Sequence, residues 1–387
     1  MIERRILDGV RVLDFTHVVA GPYCTRVLAD LGAEVIKVDP PPSSGAEDAR
    51  ATGSFANNVG KRSIVVNLKT PAGLKVALEL AARSDILVEN FKPGVMAALG
   101  LGYEDVARGN PAIVYGSISG FGQTGALSHR RAYGAVAHAE SGWLWVQQQA
   151  QGGPEPFAPG VTVADIVTAM NAVSAILAAL YDRERTGQGQ WIDVTLVESQ
   201  MAMLSEVARP ALGGEPQVAW RPFRHPIHQA RDGYVTINLG SDRNWERIAQ
   251  ALGHPGTPRP PAADKANALV GSWVNQLTVD EVARGMEATG APFGVVRSMH
   301  EALQDPYWHQ RGMVREVSDP VNGTARVIGS PLHFSRAASG PGRAGAPIAG
   351  QHSTQILAEL GYQPAHIAFL LASGAVVQQT PSKDAPA

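Results

Sequence analysis

Short apolar runs alternate with longer amphipathic segments through the first half of the chain. Residues 10–15 and 34–38 have the length and residue types of strands, and Pro22 stands where the intervening helix begins, with Gly32 after its end. The same alternation predicts helices at 71–84, behind the cap residue Thr70, and at 165–185, and strands at 86–88, 113–116 and 191–195. Such alternation is typical of a parallel sheet with helices on both faces, so the predicted fold class is α/β.

The local composition changes after Arg209, and proline and glycine are frequent from there to Pro226. We interpret this segment as a domain boundary. The expected domains are 1–209, the N-terminal part of a large α/β domain; 210–320, a smaller α+β domain; and 321–387, a C-terminal segment that returns to the large domain. In the last two, strands are predicted at 233–239, 294–296 and 326–328, and helices at 244–252, 265–276, 279–287 and 353–360.

The composition is that of an ordinary folded protein: 387 residues, of which 44% are hydrophobic and 18% charged. A formal net charge of −2 gives no basic field that would attract nucleic acid or an anionic membrane. The first residues lack the apolar segment of a secretory signal, and the apolar stretch 166–181 is too short to span a bilayer comfortably. We therefore expect a cytoplasmic protein without a nucleic-acid or membrane partner.

The chain has a single cysteine, Cys24. An intrachain disulfide or a thiolate zinc site needs two or more thiols, and the apolar neighbours of Cys24 favour a buried core residue over a nucleophile. His225 and His228 flank Pro226, and no further metal ligand stands at a suitable spacing. We expect ordinary loop histidines and no metal site.

Three motifs of known chemistry fail at their defining positions. The first strand–helix–strand unit ends in Asp39, but its turn carries only Gly21 and lacks the glycine triplet of NAD-binding folds. A later lysine-containing segment resembles the end of a phosphate-binding loop, but Phe55 and Arg62 stand where that loop needs a glycine and a hydroxyl. Ile118 lies where the nucleophile elbow of a hydrolase carries serine. All three activities are disfavoured.

Asp165 opens the long apolar helix predicted at 165–185. The helix dipole favours a carboxylate in this position, and on the residues alone an N-terminal cap is the simpler interpretation. The alternative is a carboxylate nucleophile, which would attack a thioester to give a mixed anhydride and then an aspartyl thioester. Backbone N–H groups of the glycine-rich turns at 120–122 or at Gly142 would stabilise the oxyanions on that path.

Several ordered segments decide between these interpretations. They cover most of the chain and lie at 13–16, 20–22, 31–38, 60–64, 67–69, 85–94, 115–122, 183–190, 350–353 and 360–362. Each is weak alone, but together and in this order they resemble the family III CoA-transferases, the group that contains formyl-CoA transferase, carnitine CoA-transferase and α-methylacyl-CoA racemase. Counted back from the segment 186–190, Asp165 falls on the position of the family's catalytic aspartate, which favours the nucleophile.

The resemblance implies a fold that periodicity alone does not give. It implies a large Rossmann-like domain whose parallel sheet is formed from both chain ends, a smaller α+β domain, and two chains interlocked as a homodimer. It also implies an enzyme of acyl-CoA metabolism with a covalent aspartyl intermediate. The substrates would be a coenzyme A thioester and a small organic acid, for which we consider dicarboxylic acids such as mesaconate, itaconate or succinate, with no permanently bound cofactor and no metal.

CoA carries a diphosphate and a 3′-phosphate, so its site needs cations and helix N-termini. The resemblance implies that the turn at 18–22 lines the thiol end of CoA and that Asn90 and Phe91 lie against the cofactor. The predicted CoA-binding residues are Val19, Ala20, Lys61, Arg62, Asn90, Phe91, Lys92, Arg131 and Tyr133.

Departures from the family pattern bear on the reaction type. Tyr133 stands where the racemase branch has a histidine, the second base that racemisation requires, and Gly134 stands where many relatives carry an acid. CoA transfer is therefore favoured, with two alternatives: an acyl-CoA racemase with an unidentified second base, and a catalytically silent CoA-binding protein. The segment 224–233 lacks the glycine-rich loop of formyl-CoA transferase. Its basic residues are hypothesised to face a second carboxylate of the acceptor: Arg224, His225, His228 and Arg231.

Overall fold

The computed structural model describes residues 4–42, 55–213, 226–321 and 323–380. The strands are β1 (Arg11–Phe15), β2 (Glu34–Asp39), β3 (Arg62–Val66), β4 (Ile86–Glu89), β5 (Val114–Ser119), β6 (Gln190–Thr195), β7 (Ile227–Gln229), β8 (Tyr234–Ile237), β9 (Phe293–Val295), β10 (Val314–Asp319), β11 (Gly323–Ile328) and β12 (Val376–Val377). The helices are α1 (Ala20–Asp30), α2 (Phe55–Asn58), α3 (Pro71–Ala82), α4 (Val95–Ala98), α5 (Tyr103–Gly109), α6 (Gly134–Glu140), α7 (Trp143–Gln151), α8 (Val163–Thr186), α9 (Leu196–Met203), α10 (Ser205–Leu212), α11 (Asp242–Ala251), α12 (Ala263–Val274), α13 (Val279–Thr289), α14 (Met299–Gln304), α15 (Pro306–Gln310), α16 (Ser353–Glu359) and α17 (Pro364–Ala372).

The chain forms two compact units, one made of 1–218 together with 309–387 and the other of 219–308. The first unit contains a seven-stranded sheet in the order β12-β3-β2-β1-β4-β5-β6. Strands β1 to β6 pair in parallel, and β12 pairs antiparallel with β3. The predicted α/β class with a mostly parallel sheet is confirmed. Strand β3 itself was not among the predicted strands.

Helices cover both faces of this sheet because the central strands are apolar on both sides. Val12 and Ile86 belong to the core formed with α1 and α8. Leu13 and Leu87, their immediate neighbours in the chain, belong to the core formed with α3, α5 and α16. This alternation follows from the period of two along a strand. The helix α3 begins as predicted, with the Thr70 hydroxyl accepting the N–H of residue 73.

Helix α8 is the longest helix among the described residues. It runs through the core that it forms with α1 on one face of the sheet. Its 24 residues extend beyond the predicted apolar stretch 166–181. By length and composition alone this helix suffices to cross a membrane, so the expectation that the stretch is too short to do so was wrong. Half of its most apolar window is buried inside the protein, and the helix packs against α1, α6, α9, β5 and β6. These contacts are those of a core helix.

The second unit contains a three-stranded antiparallel sheet in the order β7-β8-β9. Its core includes Trp245 of α11 and Trp273 of α12, whose ring centroids lie 5.7 Å apart. Arg231 forms an ion pair with Glu281 of α13 at 2.9 Å. Of the basic residues hypothesised to bind an acceptor, two lie outside the described residues, Arg224 and His225, while His228 is buried in β7.

A buried ion pair lies where β1 ends. The carboxylate of Asp14 accepts hydrogen bonds from the N–H and hydroxyl of Thr16, from the hydroxyl of Thr25 at 2.7 Å and from the ammonium of Lys61 at 2.9 Å. The Lys61 ammonium also donates to Asn58 and to the hydroxyl of Thr25. The network therefore joins β1, α1, α2 and the residue preceding β3.

Both members of this pair are charged at neutral pH. Burial alone would raise the pKa of Asp14, but Lys61 and Lys37 outweigh it and hold that pKa well below its usual range. Burial lowers the pKa of Lys61 to about 8, against the opposing effect of Asp14. The side chains of Asp14 and Lys61 are fully inaccessible to solvent.

Replacing one member of the pair leaves the other charged and buried. We expect Lys61→Met to lower the free energy of unfolding by about 3–5 kcal/mol. Lys75→Met is the matched control, because the Lys75 ammonium is exposed and lies 3.8 Å from Glu79, so its loss costs under about 1 kcal/mol. Urea unfolding followed by circular dichroism measures both. Equal losses in the two variants would contradict the structural role of the pair.

Candidate active site

A cavity of about 350 Å³ opens at the carboxyl ends of β1, β4 and β5. Strands β1 and β4 are neighbours, and the chain runs outward from them in opposite directions, to β2 and β3 on one side and to β5 and β6 on the other. Such a switch point is where open parallel sheets bind ligands. The lining residues are His17, Val18, Val19, Ala20, Asn90, Phe91, Lys92, Pro93, Ile118, Ser119, Gly120, Arg130, Arg131, Ala132, Tyr133, Asp165 and Leu196.

Asp165 is the only carboxylate among the described lining residues and lies in the first turn of α8. The residue capping α8 is Thr162, so Asp165 is not the N-cap. The Asp165 residue is 8% exposed. Burial raises the pKa of Asp165, while the backbone N–H groups of Asp165 itself and of Ala20 oppose this shift by stabilising the carboxylate.

Two helix N-termini meet at this carboxylate. Helix α1 begins at Ala20, whose N–H faces Asp165, and α8 begins two residues before Asp165. Neither N-cap residue, Val19 or Thr162, makes a side-chain hydrogen bond to its helix. The backbone N–H groups of Ala20 and Asp165 and the positive ends of two helix dipoles favour negative charge at this point of the cavity.

The turn before α1 is strained. Val18 has φ of 69°, the one positive φ among the described residues other than glycine, and it is 63% exposed. A β-branched residue rarely adopts this conformation, and strained backbone of this kind clusters at functional sites. At Gly21 a Cβ atom would lie 2.3 Å from Cβ of Thr16, so only glycine allows the turn to close this tightly.

A reciprocal pair of hydrogen bonds fixes this turn to the loop after β4. The N–H of His17 donates to Oδ1 of Asn90 at 2.8 Å, and Nδ2 of Asn90 donates to the His17 carbonyl at 2.7 Å. The rings of His17 and Phe91 meet edge to face at 5.2 Å. The N–H of Phe91 donates to the carboxylate of Glu89, whose pKa burial raises to about 7.

Gly134, the first residue of α6, lies directly against the Asp165 carboxylate. A Cβ atom at Gly134 would lie 2.3 Å from Oδ2 of Asp165 and 3.2 Å from Cβ of Thr162. Real Cβ atoms essentially never lie within 3.0 Å of a non-bonded heavy atom, so the contact with Oδ2 would force a shift. The carboxylate therefore occupies the space that any other side chain at position 134 would need.

The cations around the cavity differ in availability. Arg130 forms an ion pair with Glu140 at 2.6 Å, and its guanidinium lies 4.6 Å from the ring centroid of Phe121. Within the described ranges, no ion pair involves Lys92 or Arg131. These two side chains are available to an anionic ligand.

The structure brings together most of the predicted site. Val19, Ala20, Asn90, Phe91, Lys92, Arg131, Tyr133 and Asp165 all line the cavity. Cys24 is fully buried, and burial raises the pKa of its thiol to about 12, which leaves it protonated and unreactive.

Lys61 and Arg62 are not on the cavity lining, which corrects their assignment as its cations. The ammonium of Lys61 is enclosed with Asp14. The guanidinium of Arg62 binds Glu34 and Glu359, at 2.5 and 2.7 Å. Both cations are therefore paired with carboxylates of the protein.

Sequence reasoning missed several lining residues, among them His17, Ser119 and Arg130. His17 lies two residues after the predicted strand 10–15 and Ser119 three residues after the predicted strand 113–116, and carboxyl ends of parallel strands meet at one edge of a sheet. That rule was the available signal. Arg130 lies in a loop without a periodic pattern and offers no such signal.

A second cavity of about 360 Å³ adjoins the first, since His17 and Phe91 line both. Its wall is mainly apolar and includes Phe15, Pro40 and Leu68, with Lys69 among the polar lining residues. Both cavities lie at the carboxyl edge of the parallel strands and share His17 and Phe91 as lining residues.

The protein is thus of the α/β class, with a cavity at the switch point of its sheet, where proteins of this class bind ligands. The family model for CoA-transferase family III matches residues 7–353, and the chain therefore belongs to that family. Succinyl-CoA:glutarate CoA-transferase of Mus musculus is 36% identical over 399 residues, covering 96% of this chain and 90% of the mouse protein. Succinyl-CoA:mesaconate CoA-transferase of Haloarcula marismortui is 34% identical and covers 92% of this chain and 96% of its own.

Solved structures agree with this membership. A CaiB/BaiF family protein from Brucella suis superposes with a TM-score of 0.77 at 29% identity, covering 92% of this chain and 100% of that chain. A hypothetical protein from Mycobacterium tuberculosis gives a TM-score of 0.78 at 27% identity, over 92% and 99% of the two chains. The large parallel sheet is thus shared with this family.

The contact between Gly134 and Asp165 has a direct consequence. We expect Gly134→Ala to lower the CoA-transferase rate by more than about tenfold, because the added methyl group displaces the carboxylate. Gly109→Ala is the control, since a Cβ at that helical position meets nothing within 4 Å. Steady-state assays of both variants check this. A fully active Gly134→Ala enzyme would show that the carboxylate position is unimportant.

Proposed function

We propose that this enzyme moves CoA between an acyl-CoA thioester and a small dicarboxylic acid, with Asp165 as the covalent carrier. The observation that carries the proposal is the buried Asp165 carboxylate at the meeting point of two helix N-termini. The same cavity is lined by Lys92 and Arg131, which form no ion pair with the described residues. Relatives named for succinyl-CoA with glutarate, mesaconate or L-malate support dicarboxylic acids as the substrate class.

The proposed reaction begins when a carboxylate oxygen of Asp165 attacks the thioester carbonyl. The C–S bond breaks, CoA leaves as its thiolate, and a mixed anhydride of Asp165 and the acyl group remains. The thiolate then attacks the aspartyl carbonyl of this anhydride, which releases the donor acid as its carboxylate. The product is a thioester between Asp165 and CoA.

The second half repeats these steps in reverse with another acid. The carboxylate of the acceptor attacks the aspartyl thioester, expelling CoA thiolate and forming a new anhydride. The thiolate attacks the acceptor's carbonyl, so the new acyl-CoA leaves and the Asp165 carboxylate is restored. Each tetrahedral oxyanion needs nearby donors, and the N-terminal turn of α1 and the glycine turn at Gly120 are the lining backbone segments suited to this role.

The two cavities suit an extended CoA molecule. We assign the thioester end to the cavity of Asp165 and the flat adenine base to the mainly apolar cavity beside it, which shares His17 and Phe91. Lys92 and Arg131, both without an ion-pair partner in the described part of the chain, would bind the phosphates or the far carboxylate of a dicarboxylic acid.

Racemisation is less well supported than transfer. A racemase needs a base on each side of the α-carbon, and Asp165 supplies one. Tyr133 stands where the racemase branch has its second base, and this residue is 69% exposed. The histidine that serves as this base in the racemase branch is therefore replaced here by a phenol.

The quaternary and domain organisation belongs to the same proposal. We assign a homodimer of interlocked chains in the cytoplasm, with residues 210–320 as the smaller α+β domain and 321–387 returning to the large one. Exposed apolar side chains on α8, α9 and α10 support a second copy as the covering surface: Met170, Tyr181, Met201, Met203 and Leu212. Such a set is unusual on a surface that faces only water.

Covalent capture tests the central claim. We expect the protein incubated with succinyl-CoA to gain the mass of CoA less one water. Borohydride or hydroxylamine treatment with peptide mapping should locate the adduct at Asp165. Asp165→Asn should form no adduct and lose nearly all turnover, whereas Asp193→Asn, at an aspartate outside the cavity, should retain both.

Other outcomes identify the alternatives. Solvent deuterium entering the α-position of an acyl-CoA, with no adduct, would replace transfer by racemisation. Binding of CoA thioesters with neither adduct nor exchange would indicate a silent binding protein.

The ionisation of Asp165 sets the acidic limit of activity. The attacking form is the carboxylate, and burial raises the pKa of Asp165, so the rate should fall with decreasing pH at a higher pH than an ordinary aspartate of pKa about 3.9 would give. A pH profile of single-turnover adduct formation measures this limb. Glu89→Gln separates it from the nearby acid of pKa about 7, because the amide oxygen still accepts from Phe91. If the fall in rate at acidic pH disappears in Glu89→Gln, the ionising group is Glu89 and not Asp165.

A further inference from the structure

A histidine that the proposed reaction does not use lies beside the nucleophile. His138 is on α6, four residues after Gly134, and residues spaced by four share one face of a helix. It is 2% exposed, and its ring lies 4.9 Å from the ring of Trp143. The face of α6 that touches the Asp165 carboxylate through Gly134 therefore also carries a buried imidazole.

His138 supplies the hydrogen bond that the N-cap of α8 does not make. The N–H of Ala164 donates to Nε2 of His138 at 3.1 Å. Thr162, the N-cap residue, makes no side-chain hydrogen bond to the helix. An imidazole from another helix thus serves as the acceptor that a serine or aspartate cap ordinarily provides.

Nδ1, the other ring nitrogen of His138, indicates which tautomer the neutral ring adopts. Nδ1 of His138 is buried and has no hydrogen-bond partner within the described part of the chain. Because Nε2 accepts, the proton of the neutral ring is on Nδ1. Burial lowers the pKa of His138 and so favours this neutral form.

A buried N–H without a partner is unfavourable, and stability alone would favour an apolar residue here. The feature that the imidazole contributes, and an apolar side chain would lack, is the acceptor for Ala164. Ala164 directly precedes Asp165. Its backbone orientation therefore decides where the Asp165 carboxylate lies.

We infer that His138 is a positioning residue for Asp165, holding the first turn of α8 so that the carboxylate lies against Gly134 and faces the cavity. This inference rests on the proposed function of Asp165. Displacement of a reacting group by about 1 Å costs on the order of a hundredfold in rate. His138 does not touch the substrate in this assignment and acts through Ala164.

Two variants of similar size separate the hydrogen bond from packing. His138→Gln keeps an acceptor, the amide oxygen, whereas His138→Met fills the space without one. We expect the Met variant to lose about 10- to 100-fold in kcat and in the single-turnover rate of adduct formation, with KM for the acyl-CoA changed less than about threefold. The Gln variant should recover most of the rate. Hydrogen exchange of peptides covering 162–168 should be faster in the Met variant only.

The controls keep this inference distinct from the proposed function. If the wild-type enzyme is labelled at a residue other than Asp165, the proposed function and the positioning role both fail. If the wild type is labelled at Asp165 while His138→Met and His138→Gln react equally fast, only the positioning role is overturned. Should the Met variant not fold, ¹⁵N NMR of histidine in the wild-type protein decides. A protonated Nε2 on His138 overturns the inference, and a bare Nε2 with protonated Nδ1 supports it.

Discussion

The buried ion pair of Asp14 and Lys61 fixes the end of β1 relative to α1, and the rest of the candidate site depends on this arrangement. It joins the end of β1 to α1, and the turn between them carries the N–H of Ala20 to the Asp165 carboxylate. A fully buried pair of this kind contributes specificity of geometry more than net stability. Since the Lys61 charge is neutralised inside the protein, the phosphate-binding role proposed above is assigned instead to cations of the cavity lining, Lys92 and Arg131.

The environment of Asp165 balances two opposing demands. Burial makes the carboxylate more basic, because the charged form loses its contact with water. The N-termini of α1 and α8 supply compensating positive potential. Gly134 and His138 on α6 then limit the positions that the carboxylate and its backbone can take. The reactivity proposed for Asp165 arises from three helices rather than from any one residue.

The sequence predicts what is encoded locally. The parallel sheet followed from apolar runs and helix caps, whereas the nucleophile role of Asp165 rests on the family resemblance, counted back from the segment 186–190. Lys61 and Arg62 were misassigned because their partners are remote: Asp14 is 47 residues from Lys61, and Glu359 is 297 from Arg62. No motif marks a contact that only folding creates. For the same reason the bond between His138 and Ala164, 26 residues apart, has no signature in the sequence.

The antiparallel strand β12 has a consequence for how the protein is made. It is the last strand of the main sheet to leave the ribosome, and it covers the outer edge of β3, whose residues 64–66 are apolar and buried in the finished protein. At about 5–20 residues per second, synthesis separates the end of β6 from β12 by roughly ten to forty seconds. During that interval the nascent sheet has an unpaired hydrophobic edge, the kind that recruits strands from other chains. Solubility during translation thus depends on whatever shields β3 until the final segment arrives.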